Sequence, residues 1–295
     1  MRNLRLLCAT MVAAWVLWIS APVRAAEGQP SLRVMTFNLR FASPTPPNSW
    51  PQRRPVMKEC IRQTQADVIG TQEGVYYQLR DLAGDLPEYD WIGLGREGGS
   101  RGEFMAVFFR KDRLEPLEYD HFWLSDTPML MGSRTWGPKL PRMVTWVRFR
   151  DLATRGEFYF INTHFDHQVQ EAREKSAVLV RQRVEELKTA LPVILVGDFN
   201  AAAGRNKAYQ TLVEDGFFAD TWLTAKENRG PKIATFHNYK GAVPDGDRID
   251  WILTRGPITA VSTEIVTFNR DGQYPSDHFP VLAELRIGTP EPARQ

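Results

Sequence analysis

Residues 193–200 read VILVGDFN, an apolar run that ends in Gly197, Asp198, Phe199 and Asn200. Four consecutive branched aliphatic residues favour a β-strand, and an acid closes it. In layered α/β domains, ligand sites form at the edge where such strands end. The stretch therefore predicts an α/β fold with Asp198 and Asn200 beside a site.

The same pattern recurs along the chain. Strands are predicted at residues 32–38, 66–73, 158–164, 193–198, 248–252 and 280–285, and helices at residues 51–65, 76–82 and 170–187. Short apolar strands that alternate with helices, without a long linker, favour one α/β domain in which helices cover packed sheets. Two glycine- or proline-rich segments, residues 96–102 and 128–141, are predicted loops; they could form walls of a site or lie on the surface as plain loops.

The N-terminus has the layout of a secretory signal peptide. Arg2 and Arg5 precede an uncharged apolar run over residues 6–19, and small residues lead up to Ala25. The run is shorter than the roughly 20 residues of a membrane-spanning helix, so an uncleaved anchor is the weaker alternative. We expect cleavage after residue 25, a single domain over residues 26–295, and a periplasmic or secreted protein.

Removing this segment changes the charge of the chain. The whole sequence carries a formal net charge of +2, and the loss of three arginines with no acid lowers it to −1. Proteins that bind long nucleic acids without sequence preference usually carry a strong basic excess, which is missing here. The two cysteines are Cys8, inside the signal, and Cys60. An internal disulfide and a zinc-cysteine site are therefore excluded in the mature chain, and Cys60 is predicted to be a buried helix position.

Polar residues stand at six predicted strand ends. They are Asn38, Glu73, His164, Asp198 with Asn200, Asp250, and Asp277 with His278. Oxygen donors dominate this set, so the expected metal is a hard cation, Mg²⁺ or Mn²⁺. Each residue alone has an ordinary structural explanation, such as a turn cap or a surface acid, and their number is what points to a site.

The local sequences resemble those of the endonuclease/exonuclease/phosphatase superfamily. The motifs are Thr36-Phe37-Asn38, Gly70-Thr71-Gln72-Glu73, Asn162-Thr163-His164, Gly197-Asp198-Phe199-Asn200, Arg248-Ile249-Asp250 and Ser276-Asp277-His278-Phe279-Pro280, in the order of that family. The resemblance implies a four-layer α/β sandwich with two central mixed β-sheets flanked by helices. It also implies a metal-dependent phosphoesterase, since the family contains nucleases, sphingomyelinases and inositol-phosphate phosphatases.

The resemblance assigns roles to these residues. Glu73 and Asn38 would hold the cation, and Asp277 would complete or support that shell. His278, oriented by Asp250, would stabilise the phosphoryl group or act as a base. Asp198 and Asn200 would position the attacking water, while His164 would contact phosphate or protonate the leaving oxygen.

Differences from the better-known branches of the superfamily narrow the range of expected substrates. Abasic-site endonucleases often carry an acid where this chain has Arg40 and a Tyr where it has His164, which weakens a repair function. We expect a phosphate-ester substrate, either a small molecule or a lipid head group, with no obligatory protein partner. The alternatives are an exported nuclease and a phosphate-binding module without catalysis.

Five further residues are predicted substrate contacts. They are Arg96, Arg142, Arg173, His167 and His237. Arg173 has the alternative of a helix-face charge and His237 that of a loop residue.

Overall fold

The computed structural model describes residues 30–288. The predicted signal segment, residues 1–25, lies outside the described residues. Within residues 30–288, no helix combines the length and the apolarity that crossing a membrane requires.

The described chain combines strands, most of them short, with five α-helices, and the strands between residues 89 and 164 follow one another without a helix between them. The strands are β1 (Leu32–Asn38), β2 (Val68–Gln72), β3 (Gly74–Val75), β4 (Tyr89–Ile92), β5 (Glu103–Phe104), β6 (Val107–Arg110), β7 (Leu114–Trp123), β8 (Met143–Asp151), β9 (Glu157–His164), β10 (Val193–Asp198), β11 (Ala219–Asp220), β12 (Glu227–Arg229), β13 (Asp250–Arg255), β14 (Ile258–Ile265) and β15 (Val281–Ile287). The helices are α1 (Trp50–Thr64), α2 (Tyr76–Asp85), α3 (Gln170–Glu186), α4 (Lys207–Val213) and α5 (Thr221–Thr224).

Two large mixed sheets form the centre of the molecule. A seven-stranded sheet has the order β12-β14-β15-β1-β2-β6-β4, and a six-stranded sheet has the order β11-β13-β10-β9-β8-β7. Strand β1 is parallel to β2, and β9 is parallel to β10, whereas β15 and β13 run antiparallel to their neighbours. A small ribbon of β3 and β5 stands apart from both sheets.

Three apolar layers separate the sheets and helices. Alternate residues of a strand face opposite sides of a sheet, so Val34 packs between the two sheets while Met35 packs against the layer of α1 and α2. In β10, Val196 likewise faces the other sheet and Leu195 faces the layer of α3 and α4. The order helix, sheet, sheet, helix is the predicted four-layer sandwich, and Cys60 is buried in α1 as predicted.

The structure corrects the predicted position of Asp250 on its strand. Residues 248–252 were predicted to be a strand, but β13 begins at Asp250. Asp250 therefore starts its strand. Asp277 and His278 precede β15, as they precede the strand predicted at residues 280–285. Antiparallel strands begin at the edge where their neighbours end, so these groups still reach the edge of Asn38 and Asp198. The segments at 96–102 and 128–141 have little regular structure, as predicted.

Candidate active site

Asn38 links the edges of the two sheets. Its side-chain nitrogen donates to Glu73 Oε1 at 3.1 Å and to Asp198 Oδ2 at 2.9 Å, and its oxygen accepts from the backbone N–H of Arg40. Asn38 is fully buried at the end of β1. The amide therefore connects the carboxylate that follows β2 with the carboxylate that ends β10.

Glu73 leaves strand β2 with a left-handed backbone, φ 61°. One of its oxygens accepts from the backbone N–H of Phe41, and the other accepts from Asn38. Burial opposes ionisation of Glu73, but attraction to His278 and the bond from Asn38 hold its pKa below the usual range. Glu73 is therefore a carboxylate at neutral pH.

His278 lies between two acids. Its Nδ1 is 3.0 Å from Asp250 Oδ2, and its Nε2 is 3.8 Å from Asp198 Oδ2. Burial alone would lower the pKa of His278, but attraction to Asp250 and Asp198 raises it. The pKa of Asp198 is also raised, by burial and by repulsion from Asp250. A protonated imidazole next to Asp198 is thus the stable state at neutral pH.

His164 has the opposite electrostatic character. Its Nε2 is 3.0 Å from Asn200 Nδ2, which also donates to the carbonyl of Phe165. An amide nitrogen only donates, so with this amide orientation Nε2 of His164 accepts and the ring is neutral. Burial, reinforced by repulsion from Arg142 and Arg96, lowers the pKa of His164 well below its usual value.

Asp277 faces Glu73 across a guanidinium. Arg40 Nε is 3.6 Å from Asp277 Oδ2, and Arg40 Nη1 is 3.8 Å from Glu73 Oε2. The backbone here is held by Arg53, which is fully buried in α1 and donates to the carbonyls of Arg40 and Pro275, among others. Arg53 thereby fixes the two segments that carry Arg40 and Asp277.

The donor atoms suit a divalent cation. One ligand atom each from Glu73, His164 and Asp198 lie within 4.8 Å of one another, and those of Asp198, Asp250 and His278 form a second such group. Two carboxylates and an imidazole can bind Mg²⁺ or Mn²⁺. Asp277 belongs to neither group in the described chain, which differs from the ligand set that the resemblance implies.

A cleft of about 440 Å³ opens over these groups. Among the predicted substrate contacts, Arg96, Arg142 and His167 line it, as do Glu73, His164, Asp198, Asn200, Asp277 and His278. Asn38 and Asp250 lie behind this surface and orient the groups that reach it.

Two predicted substrate contacts do not line the cleft. Arg173 donates to the carbonyl of Asp166 and to Gln170, so it fastens the first turn of α3 to the preceding loop. His237 is buried and stacks on Phe279, with ring centroids 3.9 Å apart. Both side chains are engaged in holding the structure together.

Several residues of the cleft were missed from the sequence. They are Phe41, Glu103, Leu140, Phe236, Asn238 and Ile249. Arg40 also lines the cleft, but from the sequence it was noted only as a difference from abasic-site endonucleases. Leu140 lies in the segment 128–141, for which a wall of the site was one of two predictions, the other being a plain surface loop. For Phe236 and Asn238 the sequence offers no comparable signal, since they reach the cleft through the backbone bonds that join residues 235–238 to residues 277–279.

The chain matches the sequence model of the Endonuclease/Exonuclease/phosphatase family over residues 35–278. An endonuclease/exonuclease/phosphatase from Bacteroides vulgatus is 35% identical, with a TM-score of 0.83 over 88% of this chain and 100% of that one. The mannosyl-6-phosphatase of Bacteroides thetaiotaomicron is also 35% identical, with a TM-score of 0.81 over 86% and 99%. An uncharacterized protein of Acanthamoeba polyphaga mimivirus is 26% identical over 159 residues, 51% of this chain and 59% of the viral protein.

The family match covers most of the chain and includes every one of the six motifs except the last two residues of the final one. The mixed sheets and the layer order agree with the solved structures of the family. This chain belongs to the endonuclease/exonuclease/phosphatase family, whose members hydrolyse phosphate esters.

Proposed function

We propose that this protein is a divalent-metal-dependent hydrolase that cleaves a phosphate ester by in-line attack of water. The observation that carries the proposal is the convergence of Glu73, His164 and Asp198, with ligand atoms within 4.8 Å of one another, at the floor of one cleft. Phosphoryl transfer needs charge neutralisation and an aligned nucleophile, and carboxylates with imidazoles beside a cation supply both.

The cation, Mg²⁺ or Mn²⁺, would be held by Glu73. Asp198 would support it, together with either His164 or Asp277. When bound, it would neutralise the charge that develops on the phosphate oxygens. Asn38 orients Glu73 through its amide nitrogen, so its contribution is to hold the carboxylate in place.

The remaining side chains of the site have separate roles in proton transfer and charge stabilisation. Asp198 would orient the attacking water beside the cation and accept its proton. As the new P–O bond forms, the ester P–O bond breaks and the leaving oxygen takes a proton from solvent. Protonated His278 would stabilise the phosphoryl oxygens, whereas neutral His164, whose Nε2 accepts a hydrogen bond, would face the cation and not the phosphate.

We propose a small phosphorylated molecule as substrate, and a phosphorylated sugar first. The mannosyl-6-phosphatase that shares 35% identity over nearly the whole chain supports this choice. A cleft of about 440 Å³ is of the size that small-molecule sites have, which favours such a substrate over a nucleic acid. The pattern of residues 1–25 supports export, so we place the reaction in the periplasm or outside the cell.

The test is hydrolysis of mannose 6-phosphate, p-nitrophenyl phosphate, bis(p-nitrophenyl) phosphate and DNA, with Mg²⁺ or Mn²⁺ and with EDTA. We expect metal-dependent turnover that falls at least about 100-fold in Glu73→Ala and in His278→Ala. Glu171→Ala, which removes an exposed acid of α3, is the matched control. Turnover that survives in both site variants, with circular dichroism unchanged, would contradict the proposal, whereas cleavage of DNA alone would make the protein a nuclease.

A further inference from the structure

Two buried arginines stand on one wall of the cleft. Arg96 lies between β4 and β5 and is 5% exposed, and Arg142 directly precedes β8 and is 3% exposed. The indole N–H of Trp123 donates to the carbonyl of Arg96, and the backbone N–H of Leu124 donates to the carbonyl of Arg142. Consecutive residues at the end of β7 therefore hold both arginines in fixed positions.

Both guanidinium groups keep an unused donor. Arg96 binds Glu103 through Nη1 at 2.7 Å, and its buried Nε has no hydrogen-bond partner among the described residues. Arg142 binds Asp166 through Nε at 3.3 Å, and its buried Nη1 has no partner in the described chain. Buried N–H groups in folded proteins are nearly always paired. Both arginines line the cleft, so their two unpaired donors indicate an acceptor that binds at this wall.

His167 adds a third donor. Arg142 Nη2 is 2.8 Å from His167 Nδ1. A guanidinium can only donate, so Nδ1 of His167 must accept, and a neutral ring then carries its proton on Nε2. Burial and repulsion from Arg142 lower the pKa of His167, which favours this neutral form. His167 lines the cleft, so its Nε2–H is available to an oxygen of a bound ligand.

The charge on this wall is only partly balanced. Arg142 has Asp166 as its counter-ion, but two backbone N–H groups, of Gln168 and Val169, also bind this carboxylate. Burial raises the pKa of Glu103, the partner of Arg96, to about 7. Glu103 is therefore readily protonated near neutral pH, which leaves Arg96 with an excess of positive charge.

We propose that Arg96, Arg142 and His167 form a binding site for the terminal oxygens of a phosphate dianion and make the protein a phosphomonoesterase. This inference rests on the proposed function. A monoester presents three terminal oxygens and two negative charges, and bidentate guanidinium groups suit such an acceptor. A diester has one charge, and its second ester group would take the place of an oxygen that these donors bind.

The experiment compares a monoester with a diester and adds a binding measurement that needs no turnover. Arg142→Met and Arg96→Met are assayed with Mg²⁺ on p-nitrophenyl phosphate and bis(p-nitrophenyl) phosphate, and inorganic phosphate is titrated calorimetrically into each protein. We expect kcat/KM for the monoester to fall about 100-fold while that for the diester changes little. Phosphate affinity should fall at least about tenfold. Arg101→Met, which removes an exposed arginine of the same loop outside the cleft lining, should change neither quantity.

The outcomes separate this site from the proposed function. Equal losses on both esters, or an unchanged phosphate affinity, would overturn the arginine site. Arg142→Lys keeps the charge and much of the volume, so it serves if Arg142→Met fails to fold, and it should lose monoester selectivity because it lacks the forked donor. If the parent protein hydrolyses no ester, the proposed function fails, and the phosphate titrations alone decide the site. If the parent protein binds no inorganic phosphate, the proposed arginine site is also overturned.

Discussion

Arg40 places a guanidinium between two carboxylates that a cation would also attract. It is 3.8 Å from Glu73 and 3.6 Å from Asp277, and its side chain is 39% exposed. Exposed ion pairs of this kind contribute about 0.2–1 kcal/mol. The charge of Arg40 thus opposes cation binding by a modest amount.

We therefore expect Arg40→Met to bind Mn²⁺ up to about fivefold more tightly than the parent protein. Calorimetric titration of Mn²⁺ measures this without substrate, and Arg101→Met is the control of equal charge change. An unchanged or weaker Mn²⁺ affinity in Arg40→Met would show that the guanidinium does not compete with the cation.

Residues at strand ends could be predicted from the sequence, whereas buried supporting charges could not. The six strand-end motifs contain Asn38, Glu73 and Asp198, which the structure brings within hydrogen-bond distance. Arg53, in contrast, lies on a helix among other charged residues, and such a residue is ordinarily exposed. Its burial follows from five carbonyl contacts that only the folded chain brings together.

At the scale of elements, the two sheets approach each other closely at Gly70, behind the site. A Cβ atom at Gly70 in β2 would collide with the Val196 side chain of β10 and lie 2.9 Å from that of Asn162 in β9. Asn162 also crosses between the sheets, since its side chain donates to the carbonyls of Thr71 and Ala106 and accepts from Gln72. The spacing of the sheets here therefore leaves no room for a side chain.

We expect Gly70→Ala to lower the free energy of unfolding by about 1–3 kcal/mol, since overpacking a core forces the backbone to shift. Gly84→Ala is the matched control. Gly84 is exposed in α2, and nothing lies within 4 Å of its added Cβ, so this change should raise the free energy by about 0.5–1 kcal/mol. Urea denaturation measures both, and equal stabilities of the two variants would contradict a close approach of the sheets.

Some strands escaped sequence prediction because their exposed faces are charged. Strands β7 and β8 pair antiparallel, and Glu115 and Glu118 lie opposite Arg150 and Arg148. The arginines also bind Glu157 of β9. Cross-strand ion pairs stabilise such a surface. A search for apolar runs does not detect it, although the buried strands β1 and β10 were predicted with the bounds that the structure has.

At the scale of the whole molecule, folding brings four carboxylates together, three that line the cleft and one directly behind it. They are Glu73, Asp198, Asp250 and Asp277, and burial is the main cause of the raised pKa of both Asp198 and Asp277. A carboxyl group with a raised pKa in the folded state stabilises the fold below its ordinary pKa of 3.8 and loses that contribution as the pH rises through the folded value. Metal-free protein should therefore lose the contributions of these two groups on going from acid to neutral pH.

A divalent cation should restore that stability, because it binds the ionised carboxylates of the native state only. At a concentration 100 times its Kd, a ligand of the native state adds about 2.7 kcal/mol to the free energy of unfolding. We expect Mn²⁺ to raise Tm, by more at neutral pH than near pH 5 since protonated carboxyls do not bind it, and EDTA to reverse the increase. Glu73→Gln should lose the Mn²⁺-dependent increase while Glu171→Gln keeps it. If Glu73→Gln gained as much from Mn²⁺ as the parent protein, or if the increase were independent of pH, the cation would be bound elsewhere and the carboxylates would have to be brought together for another reason.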